Sequence, residues 1–238
     1  MDQTLEMLLK DGAAEYGVSL DDLKLSSLLK FKDILMEWNE KMNLTAIEED
    51  RDVIIKHFVD SLSIMPFLAD VHSIIDVGTG AGFPGIPLKI AQPSLEVVLL
   101  DSLEKRIHFL NTAITSLELR DITAVHLRAE DAGASALYRE KFDAAAARAV
   151  AALPVLLEYC LPLVKIGGIF IAMKGNSSPE IVASSRALDI LGAKLEEVKE
   201  FTLPGSDMRR NIIIVRKLRQ TPTKYPRKAG KPSKEPLI

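Results

Sequence analysis

Cysteine and long apolar runs are nearly absent from this chain of 238 residues. The single cysteine, Cys160, excludes a disulfide framework and a metal site built from several cysteines. No apolar run approaches the roughly 18 residues that a helix needs to cross a bilayer. Residues 1–4 also lack the basic start and the apolar core of a secretory signal. We therefore expect a cytoplasmic protein with no metal and no membrane partner.

Basic residues are outnumbered by acids along most of the chain and are concentrated at its end. Eight Lys or Arg residues and one acid lie between Arg216 and the C terminus, so this segment carries +7 and the rest of the chain −10. Four prolines share the segment with few apolar side chains, which predicts a disordered basic tail over residues 219–238. Such a tail either solubilises the protein or contacts nucleic-acid phosphates. In the second case its removal would weaken nucleic-acid binding and leave cofactor binding unchanged.

Four of the 13 glycines fall within residues 74–85, which read IIDVGTGAGFPG. A short apolar strand is followed by an acid, by glycines at alternate positions and by a proline that suits a helix start. Glycine adopts positive φ and has no Cβ, so the backbone can turn sharply and approach a ligand closely. The helix that follows offers free N–H groups. The segment is typical of a nucleotide-binding turn.

Two registers of these glycines point to different cofactors. Counted from Gly80, the segment fits G-x-G-x-x-G, which is typical of dinucleotide binding and would indicate an NAD-dependent oxidoreductase. Counted from Gly78, the acid Asp76 stands two residues before the first glycine, where it would repel a pyrophosphate but suit the cationic S-adenosylmethionine. A second acid, Asp101, ends the next predicted strand, where a carboxylate can accept hydrogen bonds from ribose hydroxyls. We favour S-adenosylmethionine.

Residues 1–70 are predicted to be helical, and residues 71–218 alternate between strands and helices. The predicted strands are 74–77, 96–101, 123–127, 143–148, 168–174, 194–203 and 210–218. The alternation predicts a mostly parallel sheet, and the turn PGSD at 204–207 predicts a terminal antiparallel hairpin. The expected fold is therefore α/β: a Rossmann-like, class I S-adenosylmethionine-dependent methyltransferase domain with an N-terminal helical extension.

Other distinctive stretches accompany the segment 76–87, DVGTGAGFPGIP. They are WN at 38–39, NLT at 43–45, HFVDS at 57–61, LDSLEKR at 100–106, RA at 148–149, KG at 174–175 and KYPRKAG at 224–230. Together they resemble the bacterial small-subunit rRNA guanine-N7 methyltransferases, also called glucose-inhibited division protein B. The resemblance covers nearly the whole chain. It implies methyl transfer to N7 of a guanine in 16S rRNA, at rRNA position 527, within naked rRNA or a small-subunit assembly intermediate.

The turn and the resemblance together predict the site residues. The expected cofactor contacts are Gly78, Gly80, Phe83, Asp101, Ala129, Glu130 and Arg148. Of these, the resemblance supplies Phe83, the pair Ala129 and Glu130, and Arg148, all near the C-terminal ends of predicted strands, where open α/β sheets bind ligands. The expected contacts to RNA phosphates are Arg210, Arg209, Lys105 and Arg106, which we expect around one opening.

Two groupings that suggest nucleophilic chemistry are better explained by packing. His57, Asp60 and Ser61 lie within about one helical turn, but a packed or capping role is expected for them rather than a triad. Cys160 lies at a helical spacing of apolar residues and is expected in the core. It also follows Tyr159, whereas the cysteine nucleophile of cytosine C5 methylation usually follows proline.

No catalytic side chain is expected. Methylation of exocyclic amines usually uses an Asn/Asp-Pro-Pro-aromatic loop after the fourth strand, and residues 148–151 read RAVA instead. Guanine N7 needs no such loop, since its in-plane lone pair is free at neutral pH and catalysis reduces to alignment of the reacting atoms. A non-catalytic RNA-binding protein with a relict methyltransferase fold would lack the same residues and remains an alternative.

Overall fold

One seven-stranded sheet organises the computed structural model, which describes residues 3–175 and 178–238. Its strands are β1 (Ser73–Val77), β2 (Glu96–Asp101), β3 (Ile122–His126), β4 (Phe142–Arg148), β5 (Val164–Lys174), β6 (Ala193–Thr202) and β7 (Arg209–Lys217). They are ordered β3-β2-β1-β4-β5-β7-β6. The first five strands run parallel, and β7 is antiparallel to both of its neighbours. The parallel sheet and its terminal hairpin are confirmed.

Helices precede the sheet and connect its strands. They are α1 (Gln3–Ala14), α2 (Asp22–Met42), α3 (Asp50–Val53), α4 (Asp60–Leu62), α5 (Gly85–Ala91), α6 (Glu104–Ser116), α7 (Ala129–Ala134), α8 (Leu153–Cys160), α9 (Ser178–Ala183), α10 (Ser185–Leu191) and α11 (Lys231–Lys234). A π-helical turn, Ile54–Val59, joins α3 to α4. None of the helices within the described residues is both long and apolar enough to span a membrane.

The middle strand β4 places small side chains where both layers of helices meet the sheet. Its four consecutive alanines, residues 144–147, are completely buried. Because successive side chains of a strand point to opposite faces, Ala144 and Ala146 join one hydrophobic cluster and Ala145 and Ala147 the other. The helices can therefore approach closely on both faces.

The N-terminal helices share a core with the sheet domain. Phe31 of α2 and Phe58 of the π-helical turn are fully buried and lie 5.3 and 5.7 Å, centroid to centroid, from Phe83 of the glycine-rich residues 74–85, here called the glycine segment. Helix α2 begins after Asp21, whose carboxylate accepts a hydrogen bond from the backbone N–H of Lys24 at 2.8 Å. The aromatic cluster brings the helical extension against the glycine segment.

The C-terminal segment packs on the sheet domain, so the prediction of a disordered tail over residues 219–238 is wrong. Tyr225 and Leu237 are buried in the same hydrophobic cluster as α8. The guanidinium of Arg227 binds the carboxylate of Glu158, which is only 1% exposed. The prediction counted charge and overlooked that Arg227 of this segment has a buried acidic partner far back in the chain.

A buried lysine fixes the point where this segment leaves the sheet. Lys217 ends β7 and is completely buried, with its ammonium 2.7 Å from Thr221 Oγ1 and 3.2 Å from a Glu140 carboxylate oxygen. It also donates to the carbonyl of Leu161 at 2.6 Å. Burial lowers the pKa of Lys217 to about 8, even though Glu140 opposes the shift. These contacts direct the chain back across the domain.

Candidate functional site

The glycine segment is held by its own acid. Asp76 is the second-last residue of β1 and is 1% exposed. Its Oδ2 accepts hydrogen bonds from Thr79 Oγ1 at 2.6 Å and from the backbone N–H of Gly85 at 2.8 Å, while Oδ1 is buried and has no hydrogen-bond partner among the residues that the structure describes. Burial raises the pKa of Asp76 to about 6. The acid that was expected to suit a cationic ligand therefore shapes the turn itself.

Gly78 needs to be glycine for two reasons. Its φ of +71° lies in the left-handed region that L side chains rarely adopt. A Cβ at this position would lie 2.7 Å from the side chain of Val150, in the loop after β4. The absence of a side chain at Gly78 thus lets the glycine segment and the loop after β4 come into contact.

Asp101 ends β2 and binds the same segment from the other side. Its Oδ2 accepts from the backbone N–H of Gly80 at 3.0 Å, and its Oδ1 accepts from the backbone N–H of Leu103 at 2.9 Å. Oδ2 also forms a salt bridge with Arg106 at 3.1 Å. Arg106, which was expected on RNA, thus lies at the Asp101 carboxylate. Asp101 has a structural role as well as the ribose contact predicted for it.

A cleft of about 320 Å³, here called the glycine cleft, lies between these residues and the loops after β3 and β4. Four of the predicted cofactor residues line it, namely Gly78, Asp101, Ala129 and Glu130. Sequence reasoning missed Val150, Tyr159, Gly230 and Ser233, which also line it. The matching stretches at 148–149 and 224–230 were the signals that pointed to these neighbourhoods.

Phe83 and Arg148 lie away from the glycine cleft. The Phe83 ring is 4% exposed and stacks on the His57 imidazole at 4.5 Å, centroid to centroid. The Arg148 guanidinium lies 5.1 Å from the centre of the Phe83 ring and forms a salt bridge with Asp60 at 2.9 Å. Neither residue lines the glycine cleft, so their contact with a cofactor stays a prediction.

A second cleft of about 280 Å³, here called the arginine cleft, lies on the other side of the loop after β4. Its charged and polar lining side chains are Lys56, His57, Asp60, Arg148, Lys174 and Arg210. The buried carboxylate of Asp60 binds Arg148 through Oδ2 and Arg210 through Oδ1, each at 2.9 Å. One carboxylate thus fixes two cations, one from β4 and one from β7.

His57 is held in the neutral form and is not part of a triad. Burial, followed by the charges of Arg148 and Lys56, lowers the pKa of His57 to about 3. Arg148 donates to Nδ1 at 3.1 Å, so Nε2 carries the proton and donates to Thr45 Oγ1 at 2.9 Å. The Ser61 hydroxyl donates to the backbone carbonyl of His57 rather than to the ring. His57 and Ser61 have the packed role predicted for this grouping, whereas Asp60 is the shared counter-charge of two arginines.

The four cations expected on RNA do not surround one opening. Lys105 and Arg106 follow β2, whereas Arg209 and Arg210 begin β7, four strand spacings or about 19 Å across the sheet. Arg209 and Arg210 line a groove that continues from the arginine cleft. The prediction of a single cluster was wrong because it used strand ends without the strand order.

The part of the chain that the structure describes contains no site for metal binding and no reactive thiol. It holds no group of three His, Cys, Asp or Glu side chains placed to bind a metal ion. Cys160 is completely buried in the hydrophobic cluster around α8, and burial raises the pKa of its thiol. The core position predicted for Cys160 is confirmed.

Comparisons with known proteins agree with the motif resemblance. The family GidB, described as rRNA small subunit methyltransferase G, matches residues 24–213. The ribosomal RNA small subunit methyltransferase G of Acetivibrio thermocellus is 61% identical over 234 residues, which cover 98% of this chain and 97% of the relative. The protein of the same name from Alkaliphilus metalliredigens is 54% identical over 235 residues, which cover 98% of each chain.

Among solved structures, TrmN from Thermus thermophilus aligns with a TM-score of 0.51 over 69% of this chain and 53% of its own. Its sequence identity is 18%, so the likeness shows the fold alone. The fold of the aligned part of this chain is thereby found in a second protein.

We predict that Asp60→Asn lowers the free energy of unfolding by about 3–5 kcal/mol, because two largely buried guanidiniums lose their common counter-charge. The Asp60, Arg148 and Arg210 side chains are 5%, 13% and 22% exposed. The measurement is urea denaturation at neutral pH. The matched control is Glu196→Gln, which breaks the Arg216 pair, 35% exposed on both sides, and should cost about 0–1 kcal/mol. Equal losses in the two variants would contradict the role given to Asp60.

Proposed function

The chain belongs to the GidB family of rRNA small subunit methyltransferases, and we propose that it transfers the methyl group of S-adenosylmethionine to N7 of a guanine in 16S rRNA. One observation carries this assignment: the glycine cleft and the arginine cleft share the loop that follows β4. Val150 and Ala151 line the first cleft, and Ala149 lines the second. A cofactor and a base bound on either side of this short loop would lie next to each other.

The residues of the glycine cleft fit S-adenosylmethionine. The cleft volume falls within the lower part of the range for small-molecule sites, roughly 300–1,000 Å³. The carboxylates of Asp101 and Glu130 can accept hydrogen bonds from ribose hydroxyls and from the adenine amine. Ala129 is small enough to let a flat base lie against the backbone. When bound, the cofactor supplies an electrophilic methyl group on a sulfonium.

The arginine cleft fits RNA better than a neutral metabolite. Asp60 neutralises only one of its two arginine partners, and Arg209 adds a further charge on the adjoining groove. A net positive lining attracts RNA phosphates. An arginine here can also donate to guanine O6, provided that N7 stays free to react. The guanine would have to leave its stack to enter, which favours a loop as the target, in free rRNA or in an assembling subunit.

The protein's part in the methyl transfer is to position the reacting atoms. Guanine N7 carries a lone pair at neutral pH, so no base has to remove a proton before the methyl group is transferred. Two side chains of these clefts and their surroundings have the chemistry of a general base, and both already make hydrogen bonds within the protein. His57 uses both ring nitrogens, and Asp76 accepts from Thr79 and Gly85 inside the glycine segment. The NAD alternative loses its support, since the relatives compared above are named as methyltransferases.

Methyl transfer to RNA tests the proposal directly. Small-subunit particles or 16S rRNA lacking the modification are incubated with the protein and with S-adenosylmethionine labelled in its methyl group. The label should appear in 16S rRNA at one guanine, and borohydride and aniline should cleave the strand there, since these reagents act at 7-methylguanine. Label on another atom, or no transfer by a protein that binds the cofactor, would contradict the proposal. The second result would favour the relict RNA-binding protein.

We predict that Arg210→Ala lowers kcat/KM for the rRNA substrate by at least about tenfold, or about 1.4 kcal/mol, and leaves the Kd for S-adenosylmethionine within about twofold. The reason is that Arg210 lines the arginine cleft and not the glycine cleft. Steady-state transfer and calorimetry give the two values. Arg216→Ala, at the opposite end of the same strand, is the matched control and should change neither.

A further inference from the structure

The C-terminal segment, residues 221–238, lies beyond the residues 24–213 that the family matches, yet it reaches the glycine cleft. Gly230 and Ser233 line the cleft beside Glu130 and Tyr159. Residues at 221–238 thus approach the same volume that the loops after β1, β2 and β3 enclose. The segment can act as part of the site only if its contacts with the sheet domain hold it there.

Helix α8 holds the segment through a buried ion pair. The backbone N–H and Nε of Arg227 both donate to Glu158 Oε1, at 2.8 and 2.9 Å, and Nη2 donates to Oε2 at 2.6 Å. Glu158 is 1% exposed and Arg227 is 18% exposed. Charge-assisted hydrogen bonds of this kind are short and strong, and a buried carboxylate needs its partner. The segment is therefore fixed a few residues before Gly230.

Helix α7 holds the segment as well. Arg139 donates through Nη1 to the carbonyls of Gly133 at 2.8 Å and Tyr225 at 2.9 Å, which joins α7 to the segment. A Cβ at Gly133 would lie 2.8 Å from the ring of Pro226, so the close approach depends on glycine. The helix contacted in this way is the one that carries Ala129 and Glu130.

The segment also binds Glu130 directly. The backbone N–H of Gly230 donates to Glu130 Oε1 at 2.9 Å. The other oxygen, Oε2, accepts no hydrogen bond from the residues that the structure describes. One oxygen of this carboxylate is thus held by the main chain of the segment, and the other remains for a ligand.

We propose that residues 221–238 form a permanent wall of the cofactor cleft, in which Gly230 orients the Glu130 carboxylate toward the adenine amine and Ser233 closes the same end. The inference rests on the proposed function, because it assigns the glycine cleft to S-adenosylmethionine. It replaces the expectation that removal of the tail leaves cofactor binding unchanged. The basic segment acts on the cofactor through the contacts that hold it, among them the buried Arg227–Glu158 pair, and not only through its charge on RNA.

Calorimetry with S-adenosylhomocysteine on the full-length protein tests the wall. Ser233→Leu places a larger apolar side chain in the cleft and should raise the Kd at least about tenfold. Lys234→Leu introduces the same side chain one position further, at an exposed residue that does not line the cleft, and should leave the Kd within about twofold. Thermal unfolding without ligand should give the same Tm for both variants.

The outcomes separate the inference from the function on which it rests. If the wild-type protein fails to bind S-adenosylhomocysteine, the proposed function fails and the wall with it. If the wild type binds and Ser233→Leu binds equally well, the wall is overturned and the methyltransferase assignment stands.

Limited trypsin digestion tests the same point without any variant, in case Ser233→Leu does not fold. Saturating S-adenosylhomocysteine should slow cleavage after Lys228 and Lys234 several-fold, since both exposed lysines lie in the wall, one before Gly230 and one after Ser233, and should leave cleavage after Lys10 unchanged. Equal rates with and without the ligand at Lys228 and Lys234 would overturn the proposal.

Discussion

The carboxylate of Asp60 holds together three parts of the chain that are distant in sequence. It lies at the end of the π-helical turn, and it binds Arg148 at the end of β4 and Arg210 at the start of β7. Two guanidiniums so close to each other would repel without a shared acid, and a buried carboxylate would be costly without its cations. The arginine cleft therefore exists only when the N-terminal helices are docked on the sheet. This gives the helical extension a function in the site itself.

The short loop after β4 couples the two clefts. Lys174 donates to the Ala151 carbonyl at 2.7 Å, and Glu180 accepts from the backbone N–H of Leu153 at 2.6 Å, so the C-terminal end of the loop is held from β5 and α9. Val150 lies against Gly78 on one side of the loop. Arg148, which precedes the loop, lines the arginine cleft on the other side. In the proposed function, the position of a base relative to a cofactor depends on this segment of four residues. This is consistent with a reaction that needs alignment rather than proton transfer.

The parts of the fold that were predicted from the sequence are those determined by interactions between residues close together in the chain. Alternating apolar strands and helices fix the sheet, and glycines such as Gly78 and Gly80 mark the turn because only glycine adopts their positive φ without strain. The arginine cleft could not be predicted in the same way, since Asp60 meets its partners across 88 and 150 residues. The C-terminal segment was misjudged for a related reason.

Composition reports the charge of that segment but not its pairing. Arg227 binds Glu158, which lies 69 residues earlier in the chain. An isolated acid in an apolar helix does not indicate which basic residue neutralises it. The motif stretch at 224–230 was a sign in the sequence, besides its charge, that the segment had more than a solubilising role.

A crystal structure of the protein with S-adenosylhomocysteine tests most directly whether the cofactor binds in the glycine cleft and the arginine cleft is left for the base. The account predicts the ribose at Asp101, the adenine between Ala129 and Glu130 with Gly230 and Ser233 against it, and the sulfur toward the loop after β4. The arginine cleft should then remain free for a base. Density for the ligand between Lys56, Arg148 and Arg210 would contradict the account, because the substrate would have no cleft of its own.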